Sequence, residues 1–348
     1  MKEYFVGKDD FVTAHERPAM ISANALIRIK DGRVRTRKAP ICADRWMLDS
    51  GAFSQITKYG DFIMSPAEYV RLAVRFQHCG RLACIVTQDY MCEPSVIEKI
   101  KGMGRRASVR IHQKKTVDRY IQIMDEAERQ GLQVPVMPVL QGWEMEDYVQ
   151  HYQMYRDALK PRHPNTDNPG IYEKRGGFYA RMYNRKEFCR GGGKYADLKG
   201  HATYGRESHI NWGSGLWHNP FTDKPGGHQP GWEFIRNNGQ WIGLGSTCKR
   251  NRNPEAVEDI LNHLEPVMGK LEWYKIHLFG FKTTGLKNSG IRDRIHSADS
   301  MAYDFHNRMI GKCRTREART IAANKFYDKT RYQPKIQTSF DFSIDDKN

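Results

Sequence analysis

The chain has 348 residues, and its 56 Lys plus Arg against 40 Asp plus Glu give a formal charge of +16, an excess that points to a polyanion partner, of which nucleic acid is the commonest. At 39% hydrophobic and 11% aromatic it is too apolar for a disordered chain; no apolar run nears the ~20 residues of a membrane span, and acids and a Pro in MKEYFVGKDDFVTAHERP stand where a secretion signal needs apolar residues. Seven Cys, an odd number with no CxxC spacing, argue against a zinc ribbon or a disulfide framework and for the cytoplasm.

Short apolar runs alternate with helix signals along the chain. Ala19–Ser22 is a candidate strand, and Arg45–Leu48 a firmer one leading into DSGAFS. Ser65-Pro66-Ala67-Glu68 forms a capping box with Pro at the first helical position. Tyr69, Leu72, Ala73 and Phe76 follow at helical spacing, and Gly80 ends that helix. Leu82–Thr87 reads as a buried strand ending in QDYMCEP. A second helix is predicted from about Val117 to Gln130, then a strand over Val134–Leu140 ending in QGW. Trp241–Leu244, Ile276–Phe279 and Arg294–Ala298 are further predicted strands, with a helix from Asn253-Pro254 between the first two. This rhythm implies parallel βα units and a single (β/α)8 TIM-like barrel.

The segment 156–238 breaks the rhythm. It is rich in Gly, Tyr, Trp and His, and Arg156–Arg206 holds 12 Lys/Arg against 5 Asp/Glu. We read it as a Gly/aromatic/basic insertion on the barrel's catalytic rim. Residues 308–348 read as a basic C-terminal helix and tail, with 9 Lys/Arg and 2 Asp/Glu between Arg308 and Lys335.

Polar residues recur at the C-terminal ends of the predicted strands, where such barrels keep their active sites. Asp49 and Asp299 are a pair of carboxylates that closure can bring together. One can attack an anomeric carbon while the other donates and then removes a proton. Asp89 and Gln141 supply the acceptors and donors that a purine edge needs, and Phe53 and Phe279 two faces for a flat ring. Taken singly, each Asp is equally a turn or helix cap. Lys101, Arg105, Arg106, Arg110, Lys114 and Lys115 lie in an acid-free run, which is either a solvated face or a phosphate contact. His296 stands close in sequence to Asp299, either behind the site or merely packed. The GGGK at Gly191–Lys194 lacks the P-loop pattern, and no HxH or HxxxH pair argues for a metal.

Six segments carry a resemblance. LDSGAFS resembles the DSGGF/Y-Q segment of queuine-type tRNA-guanine transglycosylases. In the same order, QDYMCEP, VLQGW, IGLGS, HLFGF and SADSMA resemble that family's D-E-x-x-P, V-Q-G-G, I-G-G-L, Y-L-M-G and F-D-C segments. The DSGAFS and SADS variants, the insertion and the short length look more like the phage-borne DpdA branch, which puts 7-deazaguanine bases into DNA. The resemblance implies Asp299 as nucleophile and Asp49 as general acid/base. It also implies Ser50, Asp89, Gln141 and the Gly243-Leu244-Gly245 backbone as readers of the base, with Phe53 and Phe279 stacking on it.

This sequence departs from the tRNA enzymes in three places. Their C-x-C-x2-C…H zinc site is missing, since Cys313 is the only Cys after Asp299 and no His follows it. Their basic segment after the nucleophile is replaced by SMAYDFHNR, and the insertion has no counterpart. The expectation is therefore a guanine/7-deazaguanine exchange enzyme acting on DNA, with preQ0 or a relative as incoming base. Neither zinc nor another cofactor is expected, and host restriction would be evaded. Arg105, Arg106, Arg110, Arg181, Arg185 and Lys186 would contact nucleic acid. The rival expectations are tRNA as substrate and a catalytically inactive nucleic-acid-binding barrel.

Overall fold

The computed structural model describes residues 1–8, 17–30, 33–38, 45–97, 104–159, 241–303 and 315–331. In chain order these begin with strands β1 (Glu3–Lys8) and β2 (Ala19–Ser22), helix α1 (Ala23–Leu26), and strands β3 (Ile27–Lys30), β4 (Arg33–Thr36) and β5 (Arg45–Asp49). Then come helices α2 (Ala52–Tyr59) and α3 (Pro66–Phe76), strand β6 (Arg81–Val86), and helices α4 (Pro94–Ile97) and α5 (Arg105–Gln130). Strands β7 (Val136–Met137) and β8 (Val139–Leu140) precede α6 (Met145–Leu159). The remainder is β9 (Trp241–Leu244), α7 (Glu255–Met268), β10 (Lys275–Leu278), α8 (Ser289–Arg292), β11 (Ser297–Ser300) and α9 (Arg316–Arg331).

All pairings in the main sheet are parallel, in the order β7-β6-β5-β2-β1-β11-β10-β9-β8. Its two ends, β7 and β8, are successive halves of one strand interrupted at Pro138, which lacks an N–H for the ladder. The Pro138 carbonyl still accepts from the Gly243 N–H at 2.9 Å. Eight strand positions therefore form a ring, the (β/α)8-like barrel that the sequence implied.

Alternation along the strands divides the core in two. Phe5, Met20, Met47, Cys84, Val86, Met137, Val139 and Trp241 fill the lumen. Their neighbours Tyr4, Ile21, Trp46, Leu48, Ile85, Ile242, Leu244, Ile276 and Leu278 face outward and join the apolar faces of α3, α5 and α7. Burying such a side chain stabilises by about 1.5–3 kcal/mol. This packing fixes the strand ends that carry the polar residues.

The capping box at Ser65 forms as read, with Glu68 N–H donating to Ser65 Oγ and the Ser65 N–H donating to the Glu68 carboxylate. Four details differ from the sequence reading. The strand β1 was not anticipated, and it completes the ring between β2 and β11. The last strand spans Ser297–Ser300 rather than Arg294–Ala298, so Asp299 lies within the strand. Helix α5 begins at Arg105, twelve residues before Val117. Its first turns bury Ser108, His112, Gln113 and Thr116, so apolar periodicity could not reveal them. The antiparallel ribbon β3–β4 was also missed. Most of the insertion (160–238) and much of the C-terminal segment (308–314 and 332–348) lie outside the described residues; α9 is the helix expected in the latter.

Candidate active site

Barrel register brings the chemistry-bearing side chains to the C-terminal rim. Asp299 is the Cα partner of Phe5, a lumen residue, so its carboxylate also points inward. Asp49 ends β5 and is the Cα partner of Ser22 on β2. Asp89 follows β6 by three residues, and Gln141 directly follows β8.

Asp299 is held by one oxygen. Its Oδ1 accepts from the Gly280 N–H at 2.7 Å and lies 3.3 Å from Nε2 of the fully buried His277. His277 Nδ1 in turn lies 2.9 Å from Ser297 Oγ. The other oxygen, Oδ2, is not tied to these donors and faces the Gly7 backbone, where a Cβ would stand 3.3 Å away. A carboxylate with one oxygen fixed and the other unengaged by these groups is oriented for attack.

Asp49 sits in a different electrostatic setting. Burial, then the charges of Asp89 and Asp299, push its carboxyl up to about 7, against hydrogen bonds from the Gly51 N–H (3.1 Å) and Ser22. A group poised near neutrality can both give and take a proton. Asp89 is pushed up to about 6, chiefly by burial; hydrogen bonds from Gln141 and Ser50 oppose the shift and Glu93 adds to it. Three carboxylates thus share one end of the barrel.

The base-reading groups are linked to one another. Gln141 Nε2 donates to Asp89 Oδ2, Ser50 Oγ donates to Asp89 Oδ1 at 3.3 Å, and Ser246 Oγ donates to Gln141 Oε1 at 3.1 Å. The Gln141 backbone is clamped from two helices. Its N–H donates to His151 Nδ1 on α6 at 2.7 Å, and its carbonyl accepts from Gln113 Nε2 on α5 at 2.8 Å. Gly243 and Gly245 are required by close approach. A Cβ at Gly243 would lie 2.3 Å from the Phe279 ring, and one at Gly245 2.2 Å from the Gln141 amide nitrogen. Between them, Leu244 turns its side chain outward into the helix layer, and its carbonyl accepts from the Phe279 N–H at 3.3 Å.

The structure therefore assembles Asp49, Ser50, Asp89, Gln141, Gly243, Gly245, Phe279 and Asp299. Phe53 stands apart on α2, 57% exposed, with Lys249 Nζ 5.7 Å from its ring centroid. Arg106 and Arg110 lie exposed on the first turns of α5. The Arg105 side chain, Arg181, Arg185 and Lys186 fall outside the described residues, as does Cys313. His296 is packed at the opposite end, its ring 5.0 Å from that of Trp241. The sequence reading missed His277, His151 and Gln113. His277 had a usable signal, since it alternates into the lumen two residues before Phe279 in a predicted strand. His151 and Gln113 act on the Gln141 backbone from helices, and no spacing rule reveals that.

Residues 6–160 match the family described as DpdA: DeoxyPurine in DNA protein A. The match runs from β1 through α6 and takes in Asp49, Ser50, Asp89 and Gln141. The chain matches no curated protein and no solved structure.

Proposed function

Because residues 6–160 match the DpdA family, we propose that the chain is a transglycosylase-type DNA-modification enzyme that exchanges guanine in DNA for a 7-deazaguanine base through a covalent Asp299–deoxyribose intermediate. The observation that carries this reading is the pairing of an oriented carboxylate, Asp299, with a second one, Asp49, poised near neutrality. Asp299 Oδ2 attacks C1′ and the C1′–N9 bond breaks, its electron pair leaving with guanine. Asp49 gives its proton to the departing base. The incoming base then yields its N9 proton to Asp49 while N9 attacks C1′, and the bond to Asp299 breaks. One N-glycosidic bond replaces another, so the atoms and protons balance without a redox step or a nucleoside triphosphate.

Asp89 would accept the donors on the Watson–Crick edge of the base, and Gln141 would turn its amide from Asp89 toward the base oxygen. The Phe279 ring lies against Gly243 and offers a stacking face. His277 serves as a positioning residue, because it touches Asp299 rather than the reacting atoms. The target nucleotide must leave the duplex, or be single-stranded, to reach a barrel mouth. The 156–238 insertion, the Arg106/Arg110 face and the basic C-terminal segment are the surfaces we assign to the surrounding DNA. The incoming base is preQ0 or a relative, the enzyme needs no zinc, and the setting is phage DNA modification against restriction. Those finer assignments rest on the motif variants, the absence of a thiol cluster from the sequence after Asp299, and the charge.

The test is mass spectrometry of nucleosides from DNA of cells expressing the chain together with a 7-deazaguanine source. A 7-deazaguanine deoxynucleoside that disappears in Asp299→Asn is expected. Its absence with well-folded wild-type protein and an ample base supply would overturn the reading.

A further inference from the structure

The ribbon β3–β4 follows β2 through the single-turn helix α1, on the same rim as the candidate site. Its root is tied to that site. Asn24, four residues before Arg28, donates through Nδ2 to the Gly51 carbonyl at 3.2 Å and accepts from Gln55 Nε2 at 2.8 Å. Strand β3 begins five residues after Ser22, the strand partner of Asp49. At roughly 3.3 Å per residue, the whole ribbon stays within about 30 Å of that carboxylate.

Its register sorts the side chains by face. Arg28 stands opposite Arg35, and Lys30 opposite Arg33. Residues two apart on a strand share a face, so these four cations form one patch, and all four are exposed. The other face carries Ile27, Ile29, Val34 and Thr36, of which Ile27 is buried in the core and Val34 packs against it. Ile27 and Val34 thus anchor the ribbon on the body, Ile29 stays 49% exposed, and the four cations are turned outward.

Like charges directly opposite one another destabilise an antiparallel pair. Here two such pairs are stacked, and among the described residues no acid forms an ion pair with any of the four cations. From Ala23 to Ala43 the sequence holds six Lys/Arg and one acid, Asp31. A fold that aligns unneutralised cations beside an active site supplies the complement of a polyphosphate chain. A two-stranded ribbon also has the width that the major groove of B-form DNA admits.

We propose that the β3–β4 ribbon is a DNA-gripping arm, with Arg28, Lys30, Arg33 and Arg35 binding backbone phosphates beside the nucleotide that enters the barrel. The proposal takes from the reading above only that the substrate is DNA; it does not depend on the covalent chemistry.

The test compares the full chain with R28Q/K30Q/R33Q/R35Q and with the charge-keeping R28K/R33K/R35K, leaving Asp49 and Asp299 intact. Equilibrium binding to a short duplex is measured across a salt series, with tRNA as a second probe. Each neutralised phosphate contributes a slope of about 0.9 in log K against log salt. The Gln variant should bind duplex at least about tenfold more weakly at low salt and show a slope shallower by roughly 2–4. The Lys variant should keep most of the slope. The Gln variant's Tm should stay level or rise, because repulsion is removed. Unchanged affinity and slope would overturn the proposal. So would weakened tRNA binding with duplex binding intact, and so would a fall in Tm with binding lost in both variants, which would mark a structural ribbon. Binding is read without turnover, so a wild-type chain that grips duplex but exchanges no base would refute the catalytic reading and leave this one standing.

Discussion

Around the N-terminal ends of the strands, Glu3 pairs with Arg45 and lies 3.8 Å from His296, while Lys275 stands over the Trp241 ring at 5.6 Å. Around the C-terminal ends, three carboxylates crowd together with no Lys or Arg ion-paired to them among the described residues. Burial alone would raise the Glu3 carboxyl, but hydrogen bonds from His296 and Arg45 outweigh it and hold the group below its usual range. Burial at the opposite rim meets like charges, and Asp49 rises to about 7. One lumen therefore offers two outcomes for a half-buried acid. Paired, it supports the fold; crowded, it stores unfavourable electrostatics that chemistry can use.

The sharpest way to break this contrast is at Asp299. Asp299→Asn should reduce base exchange by at least about a thousandfold, since it removes the nucleophile rather than a helper. Duplex affinity should change less than about threefold, because phosphate contacts dominate binding. Retained exchange in the Asn variant would hand the nucleophile's role to Asp49.

Next in size is His277. His277→Phe should lower kcat by roughly tenfold to a hundredfold with KM little changed, as expected when a group orients the nucleophile without touching substrate. His277→Gln, which can still donate to Asp299, should recover part of the loss. A Phe variant that loses KM and kcat alike, or stability alone, would make His277 a packing residue.

These two residues also measure how much was legible beforehand. Asp299 was readable because a predicted strand led into a polar, chemistry-bearing residue within a chain of βα units. Its neighbours Asp49, Asp89 and Gln141 were readable for the same reason. His277 looked like any polar residue in a strand until the lumen's alternation fixed its direction. Strand β1 was lost because EYFVGK sits among charges at the start of the chain and no helix pattern introduces it. The ribbon was legible in principle. Ile27, Ile29, Val34 and Thr36 alternate with cations around Asp31-Gly32, a strong hairpin signal. The sequence reading passed from Ala19–Ser22 to Arg45–Leu48 without considering it.

A third effect separates stability from activity at Asp49. Its folded pKa is raised from the ordinary 3.8 to about 7, so the native state holds this proton more tightly than the unfolded chain. That contribution is complete below about pH 4 and is lost as pH rises toward 7. Asn mimics the protonated acid at every pH. Asp49→Asn should therefore raise Tm at pH 8 by a few degrees, with the gain vanishing near pH 4, while exchange is lost. A Tm that falls at pH 8 would mean that the ionised form is stabilised and the crowding harmless.

The smallest expected effect lies at the other end, and its sign is opposite. Glu3 carries a depressed pKa relative to the ordinary 4.5, so its contribution is present above that value and fades as pH falls through the folded pKa. Glu3→Gln should cost about 1 kcal/mol at pH 7, since Arg45 and His296 each lose a charged partner in a largely buried setting. The deficit should shrink below about pH 4, where wild-type Glu3 is itself neutral. Exchange activity should be unchanged once the protein is folded, because the whole lumen of Phe5, Met47, Cys84 and Met137 lies between this cluster and the carboxylates. If Glu3→Gln stabilised the protein at pH 7, as Asp49→Asn is expected to do at pH 8, both ends would be strained alike. The asymmetry between them would then not mark the functional rim.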